Sequence, residues 1–238
     1  MRAAFSSKSS SGNLPRRLWL LGLTFALTTA ANFAFSVEAF AAPPTAAQKV
    51  CPSSSGQGRL TAPPTGFVRY VEYRVLDDCT VAKSAVRLIR PIEIPHLIPG
   101  SILVDPSLTQ HARSWDCCGI LMNELSTTLQ WNGISGSAYP YNQFNSTSYH
   151  TEAPPSRGWW LDYQNLWYPG CSSACSPVLL RGNAGFGYQG VFDPSGTWYY
   201  NSYENYVYGY GNGYGECSYS YYWRGSAPGW NLQQWCGA

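Results

Sequence analysis

The sequence predicts an all-β protein: an antiparallel β-sandwich or jelly roll, stapled by disulfides, with a tyrosine-rich hairpin near the C-terminus. Three observations carry this. Short alternating runs recur between turn signals such as Pro99-Gly100, Asp105-Pro106 and the Pro-Ser-Gly at 194–196. No segment after residue 41 holds an apolar period of 3.6 for long enough to make an amphipathic helix. All eight cysteines (51, 79, 117, 118, 171, 175, 217 and 236) lie beyond an export-type N-terminal segment, and an even count there reads as disulfides.

Residues 1–41 read as a secretory signal peptide of bacterial type. Arg2, Lys8, Arg16 and Arg17 form a positive region, Leu18 to Val37 carries no charge, and Ala39-Phe40-Ala41 places small residues for cleavage before Ala42. Threonines and Asn32 dilute the run too much for a good membrane anchor. The expected product is secreted, with no membrane attachment after cleavage. Residues 42–238 keep eleven basic and twelve acidic residues, a net charge of −1, and show no basic stripe. That balance argues against a nucleic-acid partner.

Residues 42–66 are rich in Pro, Ser and Gly without apolar period, and read as a linker or N-terminal arm pinned by Cys51. A single domain is expected over 67–238. Phe67, Val71, Tyr73 and Val75 share one parity and predict a strand, and residues 84–94 continue β-like until Pro91 and Pro95. Residues 119–133 suit either helix or strand, with Thr127, Thr128 and Trp131 favouring strand and Asn132-Gly133 a turn. The stretch 134–177, with prolines at 140, 154, 155 and 169 among others, reads as loop-rich. Strands are expected at 178–181, 184–193, 197–210 and 214–224.

The last two hold ten tyrosines between residues 199 and 225. Asn212-Gly213 predicts a two-residue type I′ turn. In that register Tyr206 faces Tyr219, Tyr208 faces Cys217 and Tyr210 faces Gly215, on a core side shared with Tyr221 and Trp223. Tyr203, Asn205, Val207 and Gly209 would then face outward. An inward Cys217 is expected to bond Cys236 and tie down the chain end.

Motifs for chemistry are few. Glu204 and Glu216 fall on opposite faces in this register, so they make no hydrolytic pair, and Glu124 has no assigned partner. No Gly-x-Ser-x-Gly elbow accompanies the three histidines. His111 and His150 read as surface loop residues and His96 as a turn residue. No ligand spacing for a metal and no cofactor motif occurs, so neither is expected. Cys117 and Cys118 are each expected to pair with a distant cysteine, with a vicinal disulfide as the alternative. Cys171 and Cys175 would close a local loop or reach back to 117 and 118.

What remains is exposed aromatic surface. Trp159, Trp160, Asp162, Gln164, Asn165, Trp167 and Tyr168 combine flat rings with hydrogen-bonding partners, and Trp230 lies in a similar setting. These residues predict a binding or surface module that takes polysaccharide or cell-envelope glycan. The alternative is a secreted jelly-roll glycoside hydrolase, or another secreted hydrolase. Two carboxylates facing one cleft would favour it.

Overall fold

The structure is a computed structural model that describes residues 49–93, 106–134, 136–151, 158–170, 175–189 and 198–237. The signal segment, His96, Cys171 and the turn at 194–196 lie outside the described residues. Twelve strands are described: β1 (Ser54–Thr61), β2 (Val68–Val75), β3 (Val81–Lys83), β4 (Arg87–Ile89), β5 (Ser107–Trp115), β6 (Leu121–Ile134), β7 (Ser137–Tyr149), β8 (Gly158–Trp167), β9 (Val178–Gln189), β10 (Tyr199–Gly209), β11 (Gly215–Arg224) and β12 (Asn231–Gly237). One 3-10 turn, Pro91–Glu93, follows β4.

The strands form two antiparallel sheets. One has the order β1-β11-β10-β9-β8, and the other β3-β2-β12-β5-β6-β7 with β4 also on β2. Residues from both sheets share one core, including Leu125, Leu129, Leu180, Phe186, Tyr203, Trp223 and Leu232. The sandwich is also stitched by polar pairs. Tyr73 and Tyr219 share a hydrogen bond across the interior at 3.0 Å. Tyr203 donates to Asn123 Oδ1 and lies 2.5 Å from Ser114 Oγ. Asn205 donates to the Gln110 carbonyl at 3.0 Å. Buried donors and acceptors need such partners, because an unmet one costs about 1–3 kcal/mol.

The loose arm expected over 42–66 is wrong over residues 54–61. Ser54–Thr61 is the edge strand β1, paired with β11 along its whole length. Gly56 and Gly58 are inward positions whose missing side chains are replaced by the Tyr221 and Tyr219 rings. The loop-rich reading of 134–177 also fails, since it contains the whole of β7 and β8. Pro140 is tolerated because β7 is an edge strand and the register shifts beside it, at Gln130/Trp131. Asn132-Gly133 is no turn. Both residues pair with β7, and a Cβ on Gly133 would lie 2.5 Å from the Gly211 carbonyl oxygen, so close approach explains that glycine. Of residues 84–93, Arg87–Ile89 form the short β4 and Pro91–Glu93 the 3-10 turn, and β12 supplies a strand not anticipated after β11.

The tyrosine hairpin forms, but one residue out of the expected register. Gly211-Asn212-Gly213 is a three-residue loop. Gly213 N–H donates to the Tyr210 carbonyl, Tyr210 N–H donates to the Tyr214 carbonyl, and Gly213 takes φ +80°. This is the type I turn with a left-handed glycine that competes with the two-residue type I′ turn. Val207 therefore faces Cys217, Asn205 faces Tyr219 and Tyr203 faces Tyr221. The β11 side of the expected core face is correct, whereas the β10 side is inverted. Tyr206 and Tyr208 point outward.

Cys217 and Cys236 are bonded, joining β11 of one sheet to β12 of the other, and Cys51 bonds Cys79. Cys175 is also disulfide-bonded. Neither Cys117 nor Cys118 has a distant partner; both are free thiols.

Two stability outcomes follow from register and staple. Tyr203→Ala should cost about 3–5 kcal/mol in urea unfolding, and Tyr208→Ala no more than about 1 kcal/mol. Equal losses would contradict the register. Replacing Cys217 and Cys236 together by alanine should lower stability by about 3 kcal/mol, from the loop they close. Non-reducing peptide mapping of the parent protein should find the two linked.

Candidate functional site

The register decides what the five-stranded sheet shows to solvent. Each outward row crosses the sheet. One row runs Trp160, Gly187, Tyr200 and Arg224; the next runs Tyr163, Gly185, Ser202, Tyr222 and Ser55. Asn165, Asn183, Glu204, Ser220 and Gln57 form a third, and Trp167, Arg181, Tyr206, Ser218 and Arg59 a fourth. From Gly187 to Arg181 the span is about 20 Å at the rise of an extended strand.

Large rings on this face stay open to water. Trp160 is 37% exposed, Trp198 46% and Trp167 51%. Trp160 and Trp198 are stacked with nearly parallel planes, 9° between them and centroids 6.5 Å apart. Gly187 makes this possible, because a Cβ there would sit 2.3 Å from the Trp160 ring. Gly185 gives the same room to Tyr163. The Arg224 guanidinium lies 5.0 Å from the Trp198 centroid.

Polar groups between the rings are held in place. Glu204 pairs with Arg181 and accepts from Tyr206 Oη at 2.7 Å and Ser220 Oγ at 3.3 Å. Burial opposes its ionisation, yet the bonds from Tyr206 and Arg181 outweigh that and hold the carboxyl below its ordinary range. The Tyr206 hydroxyl is pushed up to about 12, by burial and then by Glu204. Tyr200 Oη donates to Asp162 Oδ2 at 3.4 Å.

The sequence-selected segment is therefore a strand, β8, and not a loop. Trp160, Asp162, Asn165 and Trp167 reach the open face. Trp159 does not: it is 5% exposed and packs on Tyr188 and Trp230. Trp230 is likewise buried, and Tyr168 packs partly buried against the core. Gln164 turns toward the other sheet, where Thr147 Oγ1 donates to it at 2.9 Å. Sequence reasoning missed Trp198, Tyr200, Tyr222 and Tyr163. The Gly-Phe-Gly alternation at 185–187 was the available signal, since it leaves bare backbone on one face only.

Corrected pairing also moves the hydrolytic candidates. Glu204 and Glu216 share the outer face, but lie opposite Ser220 and Tyr208 respectively, about 13 Å apart along the strands. Glu216 has its own cation, Arg59 at 3.2 Å.

The outer face of the seven-stranded sheet differs in kind. His111 sits there on β5, not in a surface loop, stacked 4.5 Å from Trp235 at 9°. Arg113 lies 5.1 Å from the Trp235 centroid and 2.9 Å from Glu124 Oε1. His111 Nδ1 is 2.7 Å from Ser126 Oγ and 3.5 Å from Glu124 Oε1. Serine and carboxylate meet the same ring nitrogen, whereas a triad needs one on each. Nearby, a groove of about 470 Å³ is lined by Tyr70, Glu72, Arg87, Glu93, Trp115 and Gln233 among others. Tyr70 and Trp115 are 3% and 7% exposed, so this groove offers no open ring. Among the described residues, no three His, Cys, Asp or Glu side chains gather as a metal site.

No family model, no curated protein and no solved structure matches this chain.

The Arg113–Glu124–His111 cluster sets an acid limit. Burial works against the Glu124 carboxylate, but His111 and Arg113 outweigh it and hold its pKa at about 2, below the ordinary 4.5. Burial depresses the His111 pKa below 6.5. In both cases the unfolded chain binds more protons, so stability falls as pH drops. The His111 share starts to fall below about 6.5. The Glu124 share, up to about 3 kcal/mol, is lost between about pH 4.5 and 2. Urea midpoints should show both limbs, and Glu124→Gln should flatten the lower one.

Proposed function

We propose that this protein is an exported carbohydrate-binding module, and that an extended glycan lies along the outer face of its five-stranded sheet. The observation that carries the reading is the exposed, parallel-stacked pair Trp160 and Trp198, with Trp167 at the other end of β8. Trp160 lies over the bare backbone of Gly187, and an open indole presents an apolar face of the size and shape of a sugar ring. Trp160, Trp198 and Trp167 put three open indoles on one polar sheet face. Asp162, Asn165, Glu204 and Arg181 stand between the rings as hydroxyl partners. Polysaccharide or cell-envelope glycan is the class that combines flat apolar faces with dense hydroxyls. Export is supported by the disulfides, which persist in oxidising compartments. No helix among the described residues is long and apolar enough to cross a membrane.

A second reading, a secreted glycoside hydrolase, has one observation in its favour: Glu72 and Glu93 line the same groove. Glu72 accepts from Tyr70 Oη at 3.3 Å, and Glu93 accepts from the Arg90 amide at 3.3 Å, within its own turn. Both bonds suit structural carboxylates, and the rings of the groove are covered.

Pull-down on a panel of insoluble glucans, chitin and peptidoglycan should retain the protein on at least one. Trp160→Ala and Trp167→Ala should each weaken that retention by about 1 kcal/mol, roughly fivefold, with melting temperatures nearly unchanged. Retention on none, or variants that bind like the parent, would sink the binding reading. Release of reducing ends that Glu72→Gln abolishes would establish the hydrolase instead.

A further inference from the structure

Cys117 and Cys118 stand apart from the other cysteines. Cys51, Cys79, Cys175, Cys217 and Cys236 are all bonded, whereas these two are exposed thiols whose sulfurs lie 3.3 Å apart. Their turn is built to hold them side by side. Asp116 Oδ1 accepts from the Cys118 amide at 2.8 Å and the Ile120 amide at 2.7 Å. Gly119 closes the turn at φ +80°. Cys117 is backed by Gly229, where an added Cβ would come within 2.8 Å of the Cys117 Cβ. The turn sets the two sulfurs side by side at the surface, and a bond needs them to close by little more than an ångström.

We propose that Cys117 and Cys118 form a thiol–disulfide exchange site that takes disulfides of small thiols and closes to a vicinal disulfide. Cys117 rests against Gly229, and burial there raises its thiol, so Cys118 opens the reaction. Its thiolate attacks one sulfur of the small disulfide, the external S–S bond breaks, and one small thiolate leaves and takes up a proton. The Cys117 thiolate then attacks Cys118 Sγ and expels the second small thiolate, which is protonated in turn. Two cysteine thiols are oxidised, and one external disulfide is reduced to two thiols. Adjacent Cα atoms are about 3.8 Å apart, short of the ordinary disulfide range, so the bond formed is reducible and the site reversible. The turn also borders the groove through Gly119, so closure alters the groove's rim.

The test uses the full chain, mildly reduced, then incubated with oxidised glutathione and alkylated. The parent should lose both alkylation sites, weigh two hydrogens less, and yield a peptide with the two cysteines linked. Cys117→Ser should instead stop at a stable glutathione adduct on Cys118. An intact Cys217–Cys236 bond in the same peptide map certifies the fold of each sample, and Cys118→Ser, trapping the adduct on Cys117, substitutes if the first variant misfolds. Parent thiols that remain alkylatable, a persistent adduct on the parent, or cross-linked dimers would each overturn the proposal.

Discussion

The register of the β10–β11 hairpin is the constraint on which the rest depends. Side chains alternate across a strand, so one residue of slip exchanges every inward group for an outward one. The Tyr210 N–H to Tyr214 carbonyl bond closes a three-residue loop in which Gly213 alone takes positive φ, at +80°. From that follow the burial of Tyr203, Asn205 and Val207 and the outward, half-buried placement of Tyr206 and Tyr208. The next strand, β9, inherits the choice: Tyr203 faces Ala184 and Tyr200 faces Gly187. The aromatic face on β8 is thus set by a turn on the far side of two strands.

The inward side shows why the slip is not tolerated. Gly209 and Gly215 pair beneath the Trp131 indole, which arrives from the other sheet and donates from Nε1 to the Tyr210 carbonyl at 3.1 Å. A shift by one residue would bring Tyr208 or Tyr210 into that space. It would also part Tyr203 from Ser114 and Asn123, and leave their polar atoms buried without partners. The Cys217–Cys236 bond fixes the same alignment covalently.

Much of the fold was legible in the sequence. Composition and cysteine count point to a disulfide-stapled all-β chain, and the inward parity of Cys217, Tyr219, Tyr221 and Trp223 needs only alternation. What was hidden has a common physical cause. A strand such as Ser54–Thr61, with glycine at its inward positions, looks like a linker because its core volume is supplied by tyrosines from β11. Pro140 disguises β7 because an edge strand at a bulge does not need that amide. The turn was ambiguous because Gly-Asn-Gly satisfies two loop lengths, and local propensity does not choose between them. Of the selected site residues, Trp160, Asp162, Asn165 and Trp167 reach one face, whereas Trp159 looks the same in sequence and faces the core.

Glycine and ring are complementary throughout this sandwich, and the two sides use the pairing differently. Inside, the rings over Gly56, Gly58, Gly209 and Gly215 fill space and are buried. Outside, the rings over Gly185 and Gly187 fill none that needs filling. Trp160 gains one contact face from the bare backbone and leaves the other to water. The seven-stranded sheet shows the contrast, since Trp235 and Trp115 flank Arg113 there and are covered. Arg224 at the Trp198 ring holds an indole in place while it remains 46% exposed. Rings that are held flat but left uncovered lose little further freedom when a ligand stacks on them. That preorganisation is what a weak stacking contact needs in order to count.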